Sequence, residues 1–296
     1  MSDGDATRAT IAGLWHRVAL ERQRADRAAA IAARCEAGAA GAPARLRDTR
    51  LRMAALHRRT GERHLTSARL QALHAIRLQA WLDGTDPRAA RPAFVAAVGA
   101  ALGVPSVLIT LHGTRAGVGV AAASDRTARA AHDAETVLGE GPSTTAVSSG
   151  ALVVAGRQAL PRRWPHYGAA MREAGVHSVL AVPLRPREGD CAGALCVLGA
   201  APAVGGDLVA ASDVVADALA RAVLQPPHRP DGDDPLWLFE DTHFEDVVHQ
   251  AIGMVTVRFG CGADDAFALL RARAFAEGAL LGDVARRVVD DGHGLD

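Results

Sequence analysis

The 296-residue chain contains no lysine, so all 33 of its positive charges are arginine. Together with its many alanines, this points to a GC-rich coding sequence, and arginine content by itself carries no functional argument. No apolar run approaches the roughly 20 residues that a membrane-spanning helix needs. The N-terminus, MSDGDATRATIAGLWHRV, also lacks a basic segment followed by an uninterrupted apolar one. Both absences lead to the expectation of a cytoplasmic protein with no membrane partner. Cysteine is sparse: Cys35, Cys191, Cys196 and Cys261 are scattered along the chain, which argues against a disulfide framework and for free thiols. Aromatic residues make up only 4%, so any local cluster of them stands out.

The length sets a prior of two domains, and 49% hydrophobic residues suffice to bury more than one core. Net charge is zero, but it is unevenly spread. Residues 1–82 hold 15 arginines against 7 acidic residues (+8), and the remainder holds 18 against 26 (−8). Such asymmetry fits either a solvated helical surface or an arm that binds nucleic acid or a partner.

Residues 7–82 read as helical, with a break at the Gly/Pro cluster AGAAGAPA at 37–44. Leu51, Leu65, Leu70, Leu73 and Leu82 fit helical spacing loosely enough to suggest a coiled-coil linker. His57 and His64, seven apart, share a helix face, but no third metal ligand joins them there. From about residue 87 the period changes. Residues 106–113 and 117–124 flank a Thr-Arg-Ala turn and read as a hairpin, and 151–156, 176–185 and 191–200 give three more strands. Helical stretches at 92–102, 141–150 and 207–224 punctuate them, giving an α+β sheet domain of about 140 residues. Cys191 and Cys196 differ by an odd number, so on one regular strand they face opposite ways and cannot grip a metal together.

This region resembles a GAF domain over residues 69–225. The resemblance rests on LGEGPSTTAVSSGALVVAG (138–156), with its Gly-Glu-Gly-Pro turn, and on RWPHYGAAMREAGVHSVLAVPLR (163–185), ending in Pro-Leu-Arg. It implies a six-stranded antiparallel sheet with a small-molecule pocket on one face and dimerising helices on the other. Trp164, His166, Tyr167 and Met171 are the candidate ligand-binding residues, with Trp164 and Tyr167 equally readable as plugs in the sheet. A small molecule or a redox change is the expected signal, and the cofactor is unknown.

After a Pro-rich linker, three amphipathic helices follow. Val247, Val248, Ala251, Met254 and Val255 share one stripe. Ala263, Ala266, Phe267, Leu270 and Ala274 form a second, with Asp264 and Asp265 in its first turn at the positive end of the helix dipole, and Leu281, Val284, Ala285, Val288 and Val289 form a third. Gly253 falls on the polar side of the first helix, where a glycine costs about 1 kcal/mol against alanine. Close approach of another chain or of a phosphate backbone would explain it, as would packing of the linker.

Residues 243–291 resemble ANTAR domains. The matching positions are Gln250, Ala251, Gly253 and Met254, then Asp265, Ala266, Leu270, Arg271 and Ala274, then Leu281, Val284 and Ala285. Two positions depart: Ile252 stands where many members have lysine, and the Cys261-Gly262 turn lacks a Ser or Thr helix cap. The resemblance implies binding of paired RNA hairpins in nascent transcripts and transcription antitermination. Gln250, Gly253, Arg258, Arg271 and Arg273 are the candidate RNA-binding residues, with Arg271 and Arg273 expected to reach solvent beside the first helix. The segment holds five arginines against eight acidic residues, which supports an alternative in which the bundle is a protein-interaction or dimerisation module.

The expected organisation is a helical extension (1–68), a GAF-like sensor (69–225), a linker (226–242) and an ANTAR-like domain (243–291), acting as a homodimer. No ordered triad, metal-ligand cluster or Gly-rich phosphate loop followed by lysine is present. No catalytic or metal-binding residue is therefore assigned, and an enzyme is not expected.

Overall fold

A computed structural model describes residues 3–84, 91–111, 120–186, 191–220 and 243–291. With no proline before Pro43, the alanine-rich N-terminus runs as one long helix, α1 (Asp3–Ala39). Pro43 then precedes α2 (Ala44–Leu82), which folds back along α1. Small residues let the two helices approach, and Gly61 faces the Ala25 carbonyl and the Ala28 methyl. Ile11 and Leu14 meet Ala75 and Leu78 at one end of the hairpin. His64, instead of sharing a ligand with His57, bonds Glu21 of α1 through Nδ1 at 2.6 Å.

The sheet domain follows in the order α3 (Phe94–Leu102), β1 (Ser106–Leu111), β2 (Val120–Ala123), α4 (Arg126–Leu138), α5 (Pro142–Ser149) and β3 (Val153–Ala155). It continues with α6 (Leu160–Arg163), α7 (Pro165–Glu173), β4 (Ser178–Leu184), β5 (Gly193–Gly199) and α8 (Gly206–Ala218). The sheet order is β2-β1-β5-β4-β3, with every neighbouring pair antiparallel. Five strands are found among the described residues, at the five places where apolar β-like runs occur in the sequence. The sixth strand implied by the family resemblance is not among them. The Thr-Arg-Ala turn and the linker 226–242 lie outside the described residues.

Both sheet faces are covered, so the strands read as nearly continuous apolar runs. Leu180, Val182, Leu195 and Val197 face α2, α3 and α8. Val179, Ala181, Ala194 and Cys196, one position out of phase, face the layer of α4 to α7. Cys191 precedes β5 instead of lying on it, which takes it outside the alternation argument, and its thiol donates to the Gly193 carbonyl at 3.4 Å. Arg63 of α2 pairs with Asp217 of α8, tying the helical extension to the sheet domain.

The C-terminal segment forms α9 (His243–Phe259), α10 (Ala263–Glu277) and α11 (Leu281–Asp291). Val248, Ala251, Val255, Ala266, Leu270, Ala274, Leu281, Val284, Ala285 and Val288 close one core. Ile252 joins that core at 7% exposure, so an apolar side chain suits the position. The bundle therefore follows from the 3.6-residue periodicity of its sequence. Among the described residues, no helix is long and apolar enough to cross a membrane.

Candidate functional site

Inside the sheet domain, the Gly-Glu-Gly-Pro turn organises the layer over the sheet. Glu140 accepts the backbone N–H groups of His166 and Tyr167 at 2.8 and 3.0 Å, capping the start of α7. A Cβ on Gly141 would lie 2.5 Å from the carboxyl carbon of Glu135, so this position needs glycine for space. Pro142 then opens α5 at a position where its missing N–H costs nothing. The buried Glu135 carboxyl accepts the Thr144 N–H at 2.6 Å, and burial pushes its pKa up against the pull of Thr144 and Ser143.

Trp164, Tyr167 and Met171 are packed into this interior. Trp164 meets Tyr167 edge to face at 6.1 Å and donates from its indole to the Thr145 hydroxyl at 3.1 Å. The side chain of His166, two residues after Trp164 and one before Tyr167, is exposed. Three of the four candidate ligand residues thus fill the core, and the fourth points away from it. Cys196 is fully buried and within 3.0 Å of the Ser143 hydroxyl; burial, then the Glu135 carboxylate, hold its thiol well above the usual range. A thiol so protonated is a poor nucleophile and a poor redox sensor.

On the bundle, Gln250 and Gly253 share an outward stripe of α9 with Val257, and Arg258 is exposed at the end of that helix. Among the described residues, a Cβ on Gly253 would meet nothing within 4 Å. Arg271 and Arg273 are two residues apart on α10, about 160° around the helix, and the structure separates them. Arg273 joins Arg287 on the Glu277 carboxylate, and the hydrogen bond from Arg273 is the main cause of a Glu277 pKa below the usual range.

Arg271 turns the other way, onto the sheet domain. Its guanidinium donates to the Val137 carbonyl at 3.0 Å. That carbonyl belongs to the last turn of α4, where carbonyls lack helical partners and the dipole favours a cation. Gly139 ends α4 with φ +70°, and a Cβ there would lie 3.3 Å from the same guanidinium. Val137 itself packs on the bundle core. Asp133, one turn earlier, is buried with neither carboxyl oxygen hydrogen-bonded. Burial lifts its pKa to about 7, opposed by Arg129 and assisted by Asp283 of α11. The bundle is therefore docked on α4.

Sequence reasoning missed α4 altogether. Its signals were present: Asp125 caps the helix by accepting the Ala128 N–H at 2.8 Å, and Gly139 stops it. It also missed two aromatic rings left on the bundle surface, Phe259 and Phe275, the latter 65% exposed.

A sheet domain with a helical layer on each face is thus joined to a three-helix bundle that rests on one of its helices. Comparison with protein families matches residues 86–223 to the GAF domain and residues 243–289 to the ANTAR domain. The chain is a GAF and ANTAR domain-containing protein. ANTAR is an RNA-binding antitermination domain and GAF a sensory one, both regulatory instead of catalytic. Neither the curated proteins nor the solved structures gave a match to the chain.

Proposed function

We propose that this chain is a signal-responsive transcription antitermination regulator whose bundle binds paired RNA hairpins and whose sensor withholds part of the RNA-binding surface. The observation that carries this reading is the seat of Arg271. The one candidate RNA contact of α10 that is not committed to Glu277 is held on a carbonyl of the sensor helix α4, at 3.0 Å. Undocking frees it. Gln250, Gly253 and Arg258 remain exposed in the docked state, and Phe259 and Phe275 add rings on which splayed loop bases can stack. A signal received by the sensor then shifts the balance between docked and released bundles. Two copies of the chain would present two bundles to two hairpins, with avidity set by their spacing. Leu46, Met53 and Leu56, within about 80° of one another on α2 and exposed, supply an apolar strip for that pairing.

The test is binding of a two-hairpin RNA to the full chain across a salt series. An Arg271→Ala, Arg273→Ala variant is expected to lose at least tenfold in affinity, with a salt slope shallower by about two ion equivalents. Unchanged affinity would remove this surface. The second reading, a protein-interaction bundle without RNA binding, is favoured by the engagement of both Arg273 and Arg287 on Glu277, whose carboxylate offsets one of their two charges. It takes over if RNA binding is absent or insensitive to salt.

A further inference from the structure

At the open edge of the sheet, beside β2, a cleft of about 790 Å³ separates the sensor from the bundle. Its apolar wall comes from Pro92, Ala96, Leu108, Ala121 and, from the bundle, Leu280. Five arginines ring it: Arg77 of α2, Arg91 before α3, Arg126 and Arg129 of α4, and Arg286 of α11.

Two carboxylates share the lining. Asp125 is occupied, accepting the Ala128 N–H at 2.8 Å and the Ser106 hydroxyl at 2.6 Å, and Asp283 lies 3.5 Å from Arg286. Among the described residues the balance is five positive charges against two negative ones. Arg77 and Arg126 make no hydrogen bond or ion pair among the described residues. Behind the rim, His74 is held down at about 4, by burial first and then by the charges of Arg91, Arg77 and Arg17, so this corner of the molecule is strongly positive.

We propose that this cleft binds a small organic phosphate, with the phosphate groups on Arg77, Arg126 and Arg286 and the organic body against the apolar wall. The guanidinium fork matches phosphate oxygens in pairs, a geometry that a scattered basic surface would not favour. A cavity of this size suits one drug-sized ligand, and its mixed lining suits a body and an anionic head together. Because Arg286, Asp283 and Leu280 belong to the bundle, a bound ligand touches both units. It favours the docked arrangement and, by linkage, opposes any partner that needs the bundle released. The proposal rests on the regulator reading only for that last consequence.

The binding test uses the full chain, calorimetry without RNA, and two probes, adenosine diphosphate and inorganic pyrophosphate. Adenosine diphosphate is expected to bind more tightly than pyrophosphate. Arg77→Ala with Arg126→Ala should weaken it at least tenfold, and Arg286→Ala severalfold. Arg77 and Arg126 are exposed, so the folded state should survive, as circular dichroism can verify. Arg126→Glu alone, which reverses one charge, should weaken binding more than Arg126→Ala. No binding of either probe at millimolar concentration overturns the site, as does unchanged affinity in the double variant. Equal affinity for the two probes overturns the organic body. Failure of the chain to bind hairpin RNA would leave these outcomes intact, because no RNA enters the measurement.

Discussion

Among the described residues, the sheet domain buries 16 side chains on one face and 17 on the other, and its candidate aromatics are part of that filling. The bundle has a single core of 11, and its candidates Gln250, Gly253 and Arg258 stand outside. The first unit is thus stabilised from both sides of a sheet, whereas the second is near the size at which one core barely suffices. The small unit also packs Val137 of the large one against its own core. The difference in depth makes the bundle the part that can detach or melt while the sensor stays folded.

The largest expected effect breaks the bundle alone. Leu270 is fully buried between its helices, and Leu270→Ala should cost about 2–5 kcal/mol. In so small a core that approaches the whole stability of the unit. Hydrogen exchange should show protection lost from α9 to α11 and kept in β1, β4 and β5. Simultaneous loss in both units would mean that they fold as one.

The next effect acts on the contact between the units. Asp133 has a pKa of about 7 in the fold against an ordinary 3.8. The folded chain therefore keeps a proton that the unfolded chain has released, and the resulting stabilisation is complete below about pH 4 and lost as pH rises through 7. Three pKa steps correspond to at most about 4 kcal/mol. The charged groups facing this carboxyl are Arg129 on its own helix and Asp283 from α11. Urea titrations should show the parent chain losing stability relative to Asp133→Asn as pH rises from 5 to 7, while buried neutral His74, held at about 4, adds the same opposite slope to both chains. Identical profiles would mean that the carboxyl titrates normally.

The same contrast explains what could be read from the sequence. The bundle helices, the five strands and the break between α1 and α2 each follow from local periodicity or from Gly and Pro, so they were legible. The helix α4 was passed over although its cap at Asp125, its stop at Gly139 and a segregated polar face mark it, because its core side, Ala128 and Ala131, offers only methyl groups. The docking of Arg271 was illegible for a different reason. Its partner is a backbone carbonyl 134 residues away, which no side-chain pattern encodes. Helical spacing does separate Arg271 from Arg273, two residues apart and about 160° around the helix, but which neighbour claims each is set by the tertiary fold. For Trp164 and Tyr167 the sequence allowed either a lining or a plug, and packing places both rings in the filled core.

The smallest effect sharpens the comparison at Gly253. The residue lies in the middle of α9, exposed, and among the described residues nothing lies within 4 Å of where a Cβ would stand, so neither their packing nor backbone geometry requires glycine there. Gly253→Ala should therefore raise the stability of the bundle by about 1 kcal/mol, the propensity difference in a helix interior. A position that forgoes this gain without a reason among the described residues is a candidate for a constraint set by a partner. If that constraint is the close approach of RNA along the Gln250 and Val257 stripe, the alanine variant will melt at a higher temperature and bind hairpin RNA severalfold more weakly. A higher melting temperature with unchanged RNA affinity would take this face of α9 out of the interface and leave the far side of the bundle, around Arg271, as the surface that the sensor controls.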